Sequence, residues 1–272
     1  MKSTPFSLQS IAVTIKLGKI DKRPFVFLHG NSQNSCCGQA VLEFFSQRGH
    51  SVLSYDLPGH GNSPLDTEDY VFNDLIDLNQ QILKQYEIKN PILCGHSLGG
   101  MIHAGSVAKY QIKDASLIFL GSLDANPSFV GPKYLSQEKA EELSKALDAY
   151  MKEGFRLFKR QYQYDYFENR HVEDEIVNII NRRYNSPQAS FINLNTLGEF
   201  DVRPTLLKMK IPIVVMHGLK EQVIHPDLIK AMVEEYEDIQ LCWYPENGHL
   251  AFYQQPELTN QFLKEHYDYV NG

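Results

Sequence analysis

A serine between two glycines limits what this chain can fold into more than any other feature. The segment reads Gly95-His96-Ser97-Leu98-Gly99-Gly100 and follows a short apolar run at 91–94. Such a G-x-S-x-G pattern is typical of a sharp strand-to-helix turn, where the serine backbone is strained and its neighbours need to lack side chains. The pattern predicts a helix at 101–110 and a Ser97 hydroxyl raised above a sheet. The alternative is a glycine-rich connection that binds nothing.

Short apolar runs alternate with longer amphipathic segments along the chain, which indicates an α/β fold. Strands separated by helices give a mostly parallel sheet covered by helices on both faces. In such sheets the functional site lies at the carboxyl ends of the strands. The predicted strands lie at 11–17, 24–28, 51–55, 92–94, 116–120, 211–216 and 239–244, and the predicted helices include 41–48 and 69–86.

The segment 123–200 interrupts this alternation. It contains 12 of the 31 aromatic residues, and its predicted helices lie at 136–151, 155–160 and 174–184. We expect an α/β core formed by 1–122 and 201–272, with 123–200 inserted as a helical cap over the strand ends. The cap aromatics, which include Tyr162, Tyr164, Tyr166 and Phe167, either contact substrate or pack the cap against the core.

The length and the composition of the chain fit one large domain with an insertion. The 272 residues are 43% hydrophobic and 22% charged, as in ordinary soluble globular proteins. A net charge of −7 argues against a nucleic acid or an anionic membrane as partner. Because no apolar run approaches the ~20 residues of a membrane span and the first residues lack a signal-peptide core, we expect a cytoplasmic protein without a membrane span. The oligomeric state is not indicated.

The four cysteines fit a reducing compartment. Cys36 and Cys37 are adjacent, so a disulfide between them would form a strained ring, whereas Cys94 and Cys242 lie in apolar runs and are expected to be buried. There is no C-x-x-C or H-E-x-x-H spacing, so neither zinc nor another cofactor is expected. A cysteine nucleophile at Cys36 or Cys37 is an alternative to Ser97.

A serine hydroxyl needs a base within hydrogen-bond reach to act as a nucleophile. His249, in Glu246-Asn247-Gly248-His249-Leu250, is the best candidate because it lies between the last predicted strand and a helix from Pro256. A loop there can carry an imidazole over the strand ends. The alternative is a histidine that faces solvent. Weaker candidates for the base are His29, His60, His96 and His217.

The base in turn needs an acceptor for its second N–H, usually a carboxylate. Glu221 lies three residues after Gly218 at a predicted strand end and suits that role, and Asp124 is the competing candidate. A solvated surface glutamate is the simpler interpretation of Glu221. The order Ser97, Glu221, His249 is the order expected for this turn architecture.

Acyl transfer also needs N–H donors for the developing oxyanion. We expect them from the backbone of Leu98, directly after the serine, and of Asn31, after His29-Gly30. The Asn31 side chain either contacts substrate or holds its own turn.

Taken together these segments resemble the α/β-hydrolase superfamily. The resemblance rests on His29-Gly30-Asn31-Ser32, Asp56-Leu-Pro-Gly-His-Gly-Asn-Ser63, Gly95-His-Ser-Leu-Gly-Gly100, Val215-Met-His-Gly218 and Asn247-Gly-His249. The resemblance spans 24–266 and implies a serine hydrolase. Ser97 distinguishes the chain from the haloalkane dehalogenases, which have an aspartate at this position. The first two motifs with Glu221 are also similar to α/β-hydrolase acyl-homoserine lactonases, where a tryptophan often occupies the position of His96.

The residues and the resemblance together predict a serine hydrolase acting on a small or medium, largely apolar ester, lactone or thioester. The expected partner is this small acyl substrate. Two alternatives remain. One is a non-hydrolytic or C–C bond-cleaving enzyme on the same fold, and the other is a ligand-binding protein that turns over slowly.

Overall fold

Seven strands form a single sheet in the computed structural model, which describes residues 4–153, 184–221 and 223–271. In chain order the strands are β1 (Val13–Lys16), β2 (Phe25–Leu28), β3 (Val52–Tyr55), β4 (His60–Gly61), β5 (Ile92–His96), β6 (Ser116–Leu120), β7 (Tyr184–Asn185), β8 (Ile213–Gly218) and β9 (Gln240–Tyr244). The main sheet has the order β1-β3-β2-β5-β6-β8-β9, and only the edge strand β1 is antiparallel to its neighbour. β4 and β7 pair separately.

Helices cover both faces of this sheet. They are α1 (Gln39–Gln47), α2 (Phe72–Gln85), α3 (Leu98–Tyr110), α4 (Pro127–Tyr134), α5 (Gln137–Glu153), α6 (Pro187–Asn195), α7 (Arg203–Met209), α8 (Pro226–Glu235), α9 (Ala251–Gln254), α10 (Pro256–Glu265) and α11 (Tyr267–Asn271). Short 3-10 turns lie at Leu8–Ser10 and Ser35–Gly38.

The core is divided between the two faces by the two-residue period of the strands. On β2, Val26 and Leu28 belong to the cluster shared with α2 and α3, whereas Phe25 and Phe27 belong to the cluster shared with α1 and α10. β2, β3, β5, β6 and β8 are buried at every residue. Strands covered on both sides read as continuous apolar runs. The predicted α/β fold with a mostly parallel, doubly covered sheet is confirmed.

The predicted cap segment, 123–200, contains three helices and the short strand β7 where the structure describes it. α5 corresponds to the helix predicted at 136–151, while α4 and α6 were not predicted. The helix predicted at 155–160 lies outside the described residues. So does the one predicted at 174–184, except for Tyr184, which lies in β7 and pairs with Gly61, so the helix prediction is wrong at that residue.

The described end of this segment returns to the core beside the β3–α2 connection. Backbone N–H of Ser186 donates to the carbonyl oxygen of Gly59 over 2.7 Å, next to the β4–β7 pairing. Among the helices of the described residues, none has the length and apolar composition that crossing a membrane requires.

Candidate active site

The turn between β5 and α3 holds Ser97 in a strained backbone conformation, with φ +48° and ψ −119°. A positive φ is costly for a residue with a side chain and persists only where its surroundings enforce it. Here β5 and α3 approach so closely that a Cβ at Gly95 would overlap the backbone of Gly100. The start of α3 also lies so close to β2 that a Cβ at Gly99 would overlap the carbonyl oxygen of Leu28. The glycines at −2 and +2 are therefore steric requirements of the turn.

Hydrogen bonds on both sides fix the Ser97 backbone. Its N–H donates to the carbonyl oxygen of Leu120 over 3.0 Å, at the carboxyl end of β6. Its carbonyl oxygen accepts from the Ser122 hydroxyl over 2.6 Å. The turn is thus attached to the next strand of the sheet. No sequence pattern predicted that the Ser122 hydroxyl would bond to the Ser97 backbone.

Glu221 and His249 form a buried hydrogen-bonded pair. His249 Nδ1 lies 2.6 Å from Glu221 Oε2, and the two side chains are 6% and 0% exposed. The other carboxylate oxygen, Oε1, accepts from the backbone N–H of Val223 over 2.7 Å and of Ile224 over 3.4 Å. Burial opposes ionisation, but His249 and the Val223 N–H act against it, and the pKa of Glu221 lies below its ordinary value. An ionised Glu221 accepts the Nδ1–H of His249, which leaves Nε2 as the basic nitrogen.

His249 lies against the strand ends beside the Ser97 turn. The His249 carbonyl oxygen is 2.9 Å from Nε2 of His96, and the two rings are 4.6 Å apart. A Cβ on Gly121, just after β6, would lie 3.5 Å from His249 Nδ1. No hydrogen bond joins the Ser97 hydroxyl to His249 within the described residues. Catalytic hydrogen bonds often tighten only when substrate binds.

The two candidate oxyanion donors flank Ser97. Leu98 is the first residue of α3, so its N–H has no acceptor within the helix and points out of the positive helix end. Asn31 follows β2, and a Cβ on the preceding Gly30 would lie 3.1 Å from Ser97 Cβ. The turn that carries Asn31 therefore lies directly against the serine.

The side chain of Asn31 attaches this turn to α6. Its Nδ2 donates to the carbonyl oxygen of Ser190 over 3.1 Å, and its Oδ1 accepts from Nδ2 of Asn193 over 3.1 Å. Of the two roles expected for this side chain, the structure shows the contacts that hold the turn.

Asp124, the competing acid, is engaged elsewhere. Its carboxylate lies 3.0 Å from Nη2 of Arg203 and accepts from the Tyr236 hydroxyl over 2.7 Å. Burial raises the pKa of Asp124, although the Arg203 charge opposes this shift. The structure therefore brings Glu221, and not Asp124, to His249.

The remaining histidine candidates support loops. Nδ1 of His29 donates to the carbonyl oxygen of Gly30 over 2.7 Å, and His60 Nε2 accepts from the N–H of Ser32 over 3.1 Å. His217 Nε2 donates to the carbonyl oxygen of Ile224 over 2.9 Å. Burial lowers the pKa of all three imidazoles, so they remain neutral.

The three buried cysteines are poorly suited to act as nucleophiles, whereas Cys36, the other candidate, is half-buried. Cys94 and Cys242 are buried among apolar residues, as expected. Burial raises the pKa of Cys37 to about 12, which disfavours the reactive thiolate. Within 4–153, 184–221 and 223–271, no three His, Cys, Asp or Glu side chains are grouped so that they could hold a metal ion.

The strand order, the serine turn after β5, and Glu221 and His249 after β8 and β9 define a member of the α/β-hydrolase superfamily. Within it, the chain belongs to the family described as serine aminopeptidase, S33, which it matches over residues 21–256.

Relatives and solved structures agree with this placement. The AB hydrolase superfamily protein YisY of Bacillus subtilis (strain 168) is 23% identical over 245 residues, which are 89% of this chain and 91% of YisY. The esterase EaEST from Exiguobacterium antarcticum superposes with a TM-score of 0.75 at 20% identity and 95% coverage of both chains. A structure from Nitrososphaera gargenis, described with activity profiles of carboxylesterases, superposes with a TM-score of 0.77 at 19% identity and 97% coverage of both chains. At these identities the two structures show a shared fold.

Proposed function

We propose that this protein is a serine hydrolase that cleaves a small or medium, largely apolar ester, lactone or thioester through an acyl-enzyme. The observation that carries the proposal is the 2.6 Å bond between His249 and Glu221 at the strand edge where Ser97 sits in its strained turn. A serine, a base and a carboxylate that orients the base are the parts that nucleophilic acyl transfer needs.

In the first half-reaction His249 Nε2 takes the proton of the Ser97 hydroxyl while Ser97 Oγ attacks the substrate carbonyl carbon. Glu221 keeps the Nδ1–H of His249 in place and stabilises the imidazolium that forms. The carbonyl oxygen becomes an oxyanion that accepts from the N–H groups of Asn31 and Leu98. When the tetrahedral intermediate collapses, the alcohol or thiol leaves with the proton from His249.

Water completes the cycle. His249, again neutral, takes a proton from a water molecule whose oxygen attacks the acyl carbon, and the second oxyanion occupies the same two donors. Collapse releases the carboxylic acid and returns the proton to Ser97. For a lactone the leaving alcohol remains part of the product, so the product is a hydroxy acid.

The substrate class is supported by the aromatic-rich segment 123–200 and by similarity to proteins described as esterases. Apolar side chains over a catalytic pocket favour apolar acyl groups, because each methylene removed from water contributes about 0.8 kcal/mol.

The test is product analysis with a panel of p-nitrophenyl esters, thioesters, lactones and a diketone whose cleavage breaks a C–C bond, with and without hydrogen peroxide, using Ser97→Ala as the matched control. We expect carboxylic acid to form at a constant rate with the natural enzyme and not with the variant. A peracid as the main product, cleavage of a C–C substrate alone, or a burst followed by a near-zero rate would reject the proposal in favour of a perhydrolase, a C–C hydrolase or a slow-turnover binding protein.

A further inference from the structure

The ring of His96, the residue before Ser97, bridges two loops of the candidate site. Its Nε2 lies 2.9 Å from the backbone carbonyl oxygen of His249, and its Nδ1 lies 2.8 Å from Oε1 of Gln33. The same Gln33 oxygen accepts from the N–H of Gly30 over 3.0 Å. His96 is fully buried. One side chain thus connects the loop of the candidate base with the turn that carries Asn31.

We propose that His96 is a positioning residue, whose Nε2–H donates to the carbonyl oxygen of His249 and holds the base beside the nucleophile. This inference rests on the function proposed above, because it assigns the purpose of the link to acyl transfer.

The proton on the His96 ring belongs on Nε2. A backbone carbonyl can only accept, so its bond to His96 requires an N–H at Nε2. The Gln33 oxygen already accepts from the N–H of Gly30, so it lies against the unprotonated Nδ1 without forming a hydrogen bond to it. Burial and the neighbouring His249 lower the pKa of His96, so the ring is neutral and carries one proton. A neutral ring protonated on Nε2 holds the His249 main chain directly.

Holding the main chain of His249 matters because the bond from Nδ1 to Glu221 acts at the far end of the residue, on the ring. A carboxylate at Nδ1 sets the tautomer but allows the ring to pivot about that bond. The His96 bond holds the backbone of the same residue and so the position from which the ring extends. Misplacing a catalytic group by about 1 Å costs on the order of a hundredfold in rate.

The competing interpretation is that His96 only fills space, since its ring also packs 5.0 Å from that of Phe252. A matched pair of variants separates the two. In His96→Gln the side-chain amide extends as far as the imidazole Nε2, and in His96→Asn it is too short to reach the His249 carbonyl. Both variants are amides and keep a polar group in the same buried place.

His103→Leu is the control for removing a buried histidine. His103 lies on α3 and is fully buried, and within the described residues its ring nitrogens make no hydrogen bond to another side chain. Kinetics on a short p-nitrophenyl ester are compared at a temperature at which circular dichroism shows every variant folded. The downfield proton resonance of the His249 Nδ1–H is recorded by NMR for each.

We expect His96→Asn to lower kcat about ten- to a hundredfold with KM changed less than about twofold, and to shift or broaden the His249 resonance. His96→Gln and His103→Leu should stay within about threefold of the natural kcat and keep the resonance. Equal kcat and equal resonances for the Asn and Gln variants, or an effect confined to KM, would overturn the proposal. If the natural protein cleaves no ester, the proposed function fails, while the resonances still decide whether His96 positions His249.

Discussion

Two buried carboxylates follow strand ends in this protein, and their different hydrogen-bond partners distinguish their roles. Glu221 bonds His249, whereas Asp124 bonds Arg203 and Tyr236. From the sequence both were candidates, because each lies a few residues after a predicted strand. The difference could not be read from spacing, since Arg203 and Tyr236 lie 79 and 112 residues from Asp124 in the chain.

Glu221→Gln should lower kcat roughly 10³- to 10⁴-fold, because an amide cannot stabilise the imidazolium of His249 and favours the wrong tautomer. Asp124→Asn should leave kcat within about tenfold and instead lower the melting temperature, because Arg203 loses its buried partner. Matched kinetics and thermal unfolding of both variants check this. A larger loss of kcat in Asp124→Asn than in Glu221→Gln would assign the acid role to Asp124.

Buried histidines make the fold sensitive to acid. Burial lowers the pKa of His103 to about 3 from an ordinary value near 6.5. The unfolded chain therefore binds this proton more readily, so the stability from a neutral His103 is complete above about pH 6.5 and decreases as pH falls toward 3, by up to about 1.4 kcal/mol per unit.

His103→Leu should accordingly flatten the fall of unfolding free energy between about pH 6.5 and 4, and change it little at pH 8 apart from a constant packing offset. Urea unfolding at several pH values measures this slope. Parallel curves for the variant and the natural protein would show that His103 does not contribute to acid sensitivity.

At the scale of secondary-structure elements, the serine turn shows what a sequence pattern can and cannot predict about a helix boundary. The sequence predicted a helix from residue 101, but α3 begins at Leu98. Glycine weakens helices, so propensity argues against a helical Leu98-Gly99-Gly100. The close approach of α3 to β2 overrides this, because a side chain at Gly99 would overlap the backbone of Leu28. Burial against a distant strand decides the boundary, and local sequence does not carry that information.

Gly99→Ala should destabilise the protein by about 1–3 kcal/mol or more, because the methyl group meets rigid backbone. Gly131→Ala in α4 is the matched control. Its Cβ would lie 3.4 Å from the nearest atom, an ordinary contact with Leu143, so the variant should gain about 0.5–1 kcal/mol. Chemical denaturation compares the two. Equal stability of both variants would contradict the steric account of the turn.

Across the whole molecule, the strand positions could be predicted from the sequence where both faces of the sheet are buried. Continuous apolar runs such as Phe25–Leu28 and Ser116–Leu120 located the strands to within one or two residues. The links between loops, by contrast, join distant residues such as Gln33, His96 and His249, and no local period marks them. α6 was missed because its Asn- and Ser-containing sequence lacks a clear amphipathic period, and tertiary contacts such as Asn193 with Asn31 stabilise it.

The predicted cap leads to a prediction about substrate length. Activity on p-nitrophenyl esters should rise from acetate to a medium acyl chain and fall once the chain exceeds the cavity, because burial of added methylenes raises kcat/KM. Replacing Tyr162 or Tyr166, which lie outside the described residues, with alanine should move this optimum while Ser97 labelling persists. A flat profile that neither substitution changes would mean that these aromatics only pack the cap.

The central claim is that Ser97 is the nucleophile, and covalent labelling tests it most directly. The natural protein is treated with a fluorophosphonate probe and the adduct is located by mass spectrometry, with Ser97→Ala and heat-denatured protein as controls. Ser97→Ala should remain folded, because it replaces one small side chain with another. We predict one adduct, on Ser97, and none in either control. An adduct on another residue, or labelling that persists in Ser97→Ala, would contradict the account.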